Sequence, residues 1–255
     1  MNRTAICTLM AAAMTLAAPH AFAETMTWKV GGVTREAIVY APTAPSPTGK
    51  VPLILSFHGH GDDMDNFQYT GMHTAWPQAV VVYFQGLPAR DSLRGWQREK
   101  GADNDRDLAL VDTALASLRK KFNVDEARIY ATGFSNGANF TYLLWVERPE
   151  VFAAYAPVAA RLLPSMPLKQ PRPVFHVAGR MDRQILFTDQ QAAIEAAIRA
   201  DGVAGKGASC GNECILYGGD TSAPVMTWIH AGGHEYPNST SERIARFFRD
   251  HPRKP

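Results

Sequence analysis

Gly133-Phe134-Ser135-Asn136-Gly137 stands between an apolar, strand-like run at residues 127–132 and a helix-like run at residues 138–145. A Gly-x-Ser-x-Gly that ends a strand and opens a helix is typical of a nucleophile elbow, a sharp turn that exposes the serine. Side chains two residues to either side of the serine would collide with the neighbouring strand and helix, and glycine removes these collisions. Ser135 is therefore the first candidate for a nucleophile.

Strand-like runs alternate with helical patterns over the rest of the chain. The strand-like runs are residues 35–40, 51–57, 79–84, 128–132, 153–158, 173–178 and 225–229, and the helical patterns cover residues 108–122, 188–200 and about 244–248. Several of the strand-like runs are continuously apolar, as expected of strands that are covered on both faces. This alternation predicts an α/β fold with a mostly parallel sheet between helices. The active site of such a sheet lies beyond the carboxyl ends of its strands.

The first 23 residues have the pattern of a secretory signal. A basic residue, Arg3, precedes an apolar stretch, and Ala21-Phe22-Ala23 precedes Glu24, which predicts cleavage after Ala23. The apolar stretch is too short to span a bilayer, and no later run approaches about 18 apolar residues. We therefore expect residues 24–255 to form a single catalytic domain that is exported to the periplasm or the medium without a membrane anchor.

The charge balance indicates no polyanionic partner. The formal net charge is +2, and the chain has no run of basic residues, so neither nucleic acid nor an anionic membrane is expected to bind. Two cysteines, Cys210 and Cys214, lie close together in a glycine-rich segment. In an oxidising compartment they are expected to form a local disulfide. The alternative, half of a metal site, lacks a second pair of ligands at a recognisable spacing.

A serine nucleophile needs a histidine base and a carboxylate that orients it, in the chain order Ser, Asp or Glu, His. Downstream of Ser135 the chain has four histidines: His176, His230, His234 and His251. His176 falls within a strand, and His251 lies in the tail. His234 follows Ala231-Gly232-Gly233 in a loop just beyond a strand end, where a catalytic imidazole would project, so it is preferred to His230, which ends the strand-like run.

Asp182 is the expected carboxylate, because it follows a predicted strand directly at its carboxyl end. The alternatives are Asp189, Asp201 and Asp220. They fall at a helix start, a helix end and a glycine-rich turn, where helix-dipole or turn roles explain them.

Acyl transfer also needs backbone N–H groups that bind the oxyanion. One donor is expected from Asn136, directly after the nucleophile, and the other from His60 in the loop His58-Gly59-His60-Gly61. We expect His58 to be structural and neither histidine to bind a metal, and no cofactor is expected. Trp96 and Tyr236 are possible walls of a substrate pocket; for Trp96 a place in the core is equally well supported, and for Tyr236 the alternative is a role in fixing its loop.

Five segments of the chain together resemble the secreted polyhydroxybutyrate depolymerase and feruloyl esterase type of α/β-hydrolase, over residues 32–248. They are Phe57-His58-Gly59, Asn123-Val124-Asp125, the elbow at residues 133–137, the segment at residues 148–159 and Gly232-Gly233-His234-Glu235-Tyr236-Pro237. By this resemblance Ser135, Asp182 and His234 match the family's triad. Glu235-Tyr236 stands where relatives often have Thr-Trp, which leaves the shape of the acyl pocket open.

The resemblance implies an α/β-hydrolase fold and a serine carboxylesterase. Only residues 159–172 separate two predicted strands at the place where lipases insert a lid, so we expect no lid domain, although the leucines of this loop are able to form an apolar lip. The expected substrate is a small-molecule or polymer-attached ester, in particular an aromatic or short-chain acyl ester of polysaccharide. A polyhydroxyalkanoate depolymerase is the nearest alternative, and a polymer-binding protein without activity is a third. The sequence does not set the oligomeric state.

Overall fold

A computed structural model describes residues 23–254 of the chain. Ten strands form its main sheet: β1 (Ala23–Val30), β2 (Val33–Tyr40), β3 (Val51–Phe57), β4 (Val80–Phe84), β7 (Val124–Phe134), β8 (Ala154–Val158), β9 (Val174–Gly179), β10 (Ala208–Gly211), β11 (Cys214–Tyr217) and β12 (Val225–His230). Their order is β1-β2-β4-β3-β7-β8-β9-β12-β11-β10. The six strands from β4 to β12 in this order are parallel, and the two strands at each edge are antiparallel. Two short strands, β5 (Leu87–Pro88) and β6 (Arg94–Gly95), pair separately.

Helices cover both faces of the sheet, as the apolar strands predict. The helices are α1 (Met64–Phe67), α2 (Met72–Ala75), α3 (Arg106–Lys121), α4 (Asn136–Glu147), α5 (Phe187–Ala200) and α6 (Thr240–Asp250). On β3, Leu53 and Leu55 belong to the apolar cluster that includes α3, α4 and α5, whereas Ile54 belongs to the one that includes α1, α2 and α6. This alternation follows from the two-residue period of a strand. The expectation of a mostly parallel sheet between two helical layers is confirmed.

The sheet begins earlier than residue 35, where the strand-like runs placed its start. β1 pairs with β2 through the two-residue turn Gly31-Gly32, whose φ angles are +55° and +81°. A Gly-Gly pair between alternating apolar residues is typical of such a hairpin. Ala23 is the first residue of β1, so the expected cleavage site lies at the very start of this strand. The rest of the expected signal segment, residues 1–22, lies outside the described residues.

No helix or strand interrupts the loop at residues 159–173, between β8 and β9. Leu162, Leu163 and Met166 face α5 and line an apolar groove of about 460 Å³. The short loop agrees with the expected absence of a lid domain at this place in the fold. Among residues 23–254, no helix is both long enough and apolar enough to cross a membrane.

Cys210 and Cys214 form a disulfide, as expected, which closes the turn between β10 and β11. These two strands form the outer edge of the sheet, and the residues of β10 are exposed. The bridge therefore constrains a hairpin that has little apolar packing of its own.

We expect Cys210→Ala with Cys214→Ala to lower the free energy of unfolding by about 2 kcal/mol, the chain-entropy value for a loop this short. Urea unfolding of the oxidised protein and the variant measures this difference. Dithiothreitol should destabilise the unmodified protein by a similar amount and leave the variant unchanged. Equal midpoints for the two oxidised proteins would contradict the expectation.

Asp201, the residue that follows α5, is buried with incomplete hydrogen bonding. Its Oδ1 accepts the N–H of Arg172 at 2.9 Å, while its Oδ2 has no hydrogen-bond partner among the described residues. Burial is the main reason that the pKa of Asp201 is raised to about 8 from an ordinary value of 3.8. The folded protein therefore binds a proton that the unfolded chain releases at much lower pH.

This shift predicts that the stability contributed by Asp201 is complete below about pH 4 and is lost as the pH rises toward 8. Asp201→Asn keeps an oxygen for the Arg172 N–H and removes the titration. We expect the variant to gain at least about 1.4 kcal/mol over the parent between pH 5 and pH 8, the equivalent of one pKa unit. Urea unfolding across this range, with the exposed Asp220→Asn as control, measures the gain. A difference that is independent of pH would contradict the prediction.

Candidate active site

Ser135 lies at the sharp turn between β7 and α4 with φ +54° and ψ −115°, a backbone conformation that L-residues rarely adopt. Its N–H donates to the Val158 carbonyl, and its carbonyl accepts the N–H of Asn139, so the turn is held from both sides. A Cβ on Gly133 would lie 2.5 Å from the carbonyl carbon of Gly137, and one on Gly137 would lie 2.2 Å from the Phe57 carbonyl oxygen. The two glycines thus allow β7, α4 and β3 to meet at the serine.

Three side chains from distant parts of the chain meet at this turn. Ser135 Oγ lies 2.9 Å from Nε2 of His234, and Nδ1 of His234 lies 2.8 Å from Oδ2 of Asp182. Asp182 follows β9, and His234 follows β12, which are adjacent parallel strands. The expected hydroxyl, imidazole and carboxylate therefore lie in hydrogen-bonding order, each beyond the carboxyl end of a strand.

The loops that carry Asp182 and His234 are hydrogen-bonded to each other. The N–H of Arg180 donates to the His230 carbonyl, and the N–H of Met181 donates to the Gly232 carbonyl. A Cβ on Gly179 would lie 2.2 Å from the Gly233 carbonyl oxygen. This close approach fixes the position of the carboxylate relative to the imidazole. His230 points elsewhere: its Nδ1 accepts the N–H of Gly232, and burial lowers its pKa.

Two backbone N–H groups next to Ser135 are free to bind a ligand. Within residues 23–254, neither the N–H of Asn136 nor that of His60 donates to another group of the chain. The loop that carries His60 lies against the serine, because a Cβ on Gly59 would be 3.7 Å from the Ser135 Cβ. These are the two donors expected for an oxyanion, and their role remains a prediction.

His58 is fully buried and takes part in the loop structure. Its Nδ1 lies 2.7 Å from the Gly59 carbonyl oxygen, and its Nε2 accepts the N–H of Gly86 at 2.9 Å. Burial lowers its pKa, so the neutral ring donates through Nδ1. The His60 side chain is partly exposed and contacts Asp91 at 2.7 Å. Residues 23–254 contain no cluster of three His, Cys, Asp or Glu side chains suited to a metal ion.

Trp96 packs mainly in the core, and only an edge of it lines the cavity beside Asn136. It is 4% exposed, its ring packs against Phe57 and Phe140, and its indole N–H donates to the His58 carbonyl. Its backbone N–H and carbonyl both bond to the Asn136 side-chain amide. Sequence reasoning assigned no role to that side chain; it ties the residue after the nucleophile to the loop before α3.

Tyr236 packs behind the imidazole. The ring of Phe134 lies between the rings of His234 and Tyr236, with centroids 4.9 Å and 6.3 Å away. The Tyr236 hydroxyl is 3.0 Å from Oγ of Ser241, and burial raises its pKa. The tyrosine lines a small cavity of about 280 Å³ on the side of Thr70 and α6.

An open cavity of about 490 Å³ adjoins Asn136, the residue after the nucleophile. Polar and charged side chains make up most of its lining, and Trp96 contributes an edge. The other lining residues include His60, Arg90, Asp91, Arg98, Glu99 and Asp103. Its rim contains a left-handed turn, Asp103-Asn104-Asp105, with φ between +51° and +57°. A ligand rich in hydroxyl groups fits this lining better than an apolar one.

The sheet order, the elbow and the positions of the three side chains define the fold of the α/β-hydrolases. An acetyl xylan esterase from Aspergillus awamori has a similar structure, with a TM-score of 0.69 at 12% identity over 89% of this chain and 99% of that one. At 12% identity, this structural similarity establishes the fold alone. No protein-family model matches the chain.

Esterases are also found among the sequence relatives. The chain is 31% identical over 158 residues to a bifunctional acetylxylan esterase/xylanase from Neocallimastix patriciarum, a match to 59% of this chain and 22% of that protein. It is 27% identical over 137 residues to feruloyl esterase C from Emericella nidulans, a match to 51% of this chain and 47% of that protein. The chain thus spans less than half the length of these two relatives. The chain has the fold of the α/β-hydrolases, and part of its sequence is similar to esterases.

Proposed function

We propose that this protein is a serine carboxylesterase that hydrolyses aromatic or short-chain acyl esters of polysaccharide. One observation carries the proposal. Ser135 Oγ, the His234 imidazole and the Asp182 carboxylate form a hydrogen-bonded series with distances of 2.9 Å and 2.8 Å at a strained elbow. A strained serine in contact with an imidazole whose far nitrogen meets a carboxylate is the arrangement that acyl transfer requires.

The geometry supports a two-step mechanism. His234 Nε2 takes the proton of Ser135 Oγ as the oxygen attacks the ester carbonyl, and Asp182 stabilises the imidazolium through Nδ1. The N–H groups of Asn136 and His60 bind the oxyanion. The imidazolium then protonates the leaving alcohol, which departs and leaves an acyl-serine. A water molecule, deprotonated by the same imidazole, releases the acid and restores the serine.

Two observations favour a carbohydrate ester. The cavity beside Asn136 is lined largely by polar side chains, which suit the hydroxyl groups of a sugar. The relatives whose names state a substrate are an acetylxylan esterase and feruloyl esterases. A short loop at residues 159–173 leaves the approach to Ser135 without an inserted lid, which suits an ester attached to a polymer.

A polyhydroxyalkanoate depolymerase is the second candidate, because the same triad hydrolyses polyesters. The apolar groove beside Leu162, Leu163 and Met166 favours it, since a polyester chain is less polar than a sugar. A polymer-binding protein without activity is a third; the hydrogen-bonded triad argues against it.

Turnover of methyl ferulate, p-nitrophenyl acetate, acetylated xylan and a hydroxybutyrate oligomer by purified protein separates these candidates, with Ser135→Ala as the blank. We expect the carbohydrate or aromatic esters to have the highest kcat/KM. Preference for the oligomer would indicate the depolymerase. Absence of turnover on all four would contradict the esterase proposal.

We also propose that the protein is exported and that it consists of a single domain. It is supported by the signal pattern of the first 23 residues and by the disulfide, which is rare in cytosolic proteins. The sheet and its two helical layers extend over residues 23–254, which supports one domain. Mass spectrometry of the exported protein would locate its first residue, expected to be Glu24.

A further inference from the structure

The two carboxylate oxygens of Asp182 are held in different ways. Oδ1 accepts two backbone N–H groups, from Gln184 at 2.8 Å and Ile185 at 2.9 Å. Oδ2, the oxygen that faces His234 Nδ1, has one further donor, the side-chain amide of Gln190 at 3.0 Å. The direction of Oδ2 toward the imidazole is therefore controlled by a side chain on α5.

The orientation of the Gln190 amide follows from its surroundings. Its nitrogen lies within hydrogen-bond distance of Asp182 Oδ2 and, at 2.8 Å, of the Ile185 carbonyl, and both of these groups accept. The amide oxygen must then point away from Asp182. Gln190 is fully buried, and its Oε1 has no hydrogen-bond partner among the described residues. Leaving a buried oxygen without a donor is costly, so the two bonds of the amide nitrogen decide the orientation.

We propose that Gln190 is a positioning residue that aligns Asp182 Oδ2 with His234. Its amide nitrogen is held between the Ile185 carbonyl and Asp182 Oδ2, so it fixes the direction of the carboxylate oxygen that faces the imidazole. This inference rests on the proposed function, and it adds one buried residue to the groups that control the triad.

Gln190→Met tests the proposal, because methionine has a similar size and no donor. We expect kcat to fall by about 10- to 100-fold, as for a misplaced catalytic group, with KM within twofold of the parent. The acid limb of the kcat/KM profile should move to higher pH, since the carboxylate, without the amide donor, holds the imidazole proton more tightly. Gln191→Met on the exposed side of α5 is the matched control and should change none of these values.

Gln190→Glu distinguishes the loss of the hydrogen-bond donor from a change in packing, because it keeps the size of the side chain. Its activity relative to Gln190→Met should rise as the pH is lowered, since a protonated carboxyl can donate to Oδ2 as the amide does. Equal kcat and unshifted pH profiles for Gln190→Met and the parent would overturn the proposal.

Loss of activity through misfolding is recognised by two measurements. The far-ultraviolet circular dichroism and the extent of fluorophosphonate labelling at Ser135 should match the parent for each variant, because positioning of Asp182 alters rates and not the number of folded sites. Full labelling with low kcat supports the proposal, and reduced labelling together with an altered spectrum counts against it. Failure of the proposed function has a different signature, since the parent protein itself would then hydrolyse no ester.

Discussion

Ser135→Ala is expected to lower the kcat for ester hydrolysis by at least about 10⁴-fold, because the acyl-enzyme cannot form without Oγ. KM should change little, since the pocket and the free N–H groups of Asn136 and His60 remain. The fold should also remain, because alanine is smaller than serine and faces the same backbone strain at φ +54°. Burst kinetics and steady-state turnover of p-nitrophenyl acetate measure the loss.

The matched control is Ser209→Ala, at an exposed position on β10, which should keep the parent activity. A fluorophosphonate probe should label Ser135 in the parent protein and in this control, and no serine in Ser135→Ala. Retention of more than a tenth of the parent activity in Ser135→Ala would exclude an acyl-serine at this residue.

Gly137→Ala is expected to destabilise the protein by more than about 4 kcal/mol, an exceptional value for one methyl group. The added Cβ would lie 2.2 Å from the carbonyl oxygen of Phe57 and 2.5 Å from that of His58, and these atoms belong to the backbone at the end of the central strand β3. Neither side of the contact can turn away, so α4 must move off the sheet and take Ser135 and Asn136 with it.

Urea unfolding measures this effect, with Gly233→Ala as the control. A Cβ on Gly233 would meet only the Met181 carbonyl oxygen at 3.6 Å, an ordinary contact, and its φ is not positive. We expect the control to lose less than about 1 kcal/mol, or roughly the usual effect of a tolerated substitution. Equal stabilities of the two variants would mean that the elbow is more compliant than its contacts indicate.

The sequence predicted the layers of the fold because their determinants are local. Continuous apolar runs such as those in β3 and β4 mark strands covered on both faces, and the three- and four-residue repeat of Leu108, Val111 and Leu115 marks the buried face of α3. The strand β1 was not predicted, although Gly31-Gly32 and the alternation of Met26, Trp28 and Val30 are a hairpin pattern. Short edge strands carry the weakest periodic pattern, and so β10 and β11 were also absent from the expectations.

The positions of Asp182 and His234 followed from one rule, that catalytic side chains lie just past the carboxyl ends of parallel strands. The structure places His234 within hydrogen-bond distance of Ser135 and Asp182 within hydrogen-bond distance of His234. The expectation for Trp96 was divided between the pocket and the core, and its 4% exposure favours the core. A side chain close to a loop can point either way, because the choice depends on contacts with residues far away in the chain.

The amino-acid sequence by itself determined the strand and helix layers and the elbow, because periodicity and glycine placement are local patterns. It also determined the three residues proposed for catalysis, because their order along the chain and their places after strands can be read from the sequence. Only the tertiary structure decided which buried polar groups face one another. Gln190 contacts Asp182, His176 contacts Tyr142, and one carboxylate oxygen of Asp201 has no hydrogen-bond partner among residues 23–254. These contacts join different helices, strands and loops, and their free energies depend on burial, which a linear pattern of residues does not contain.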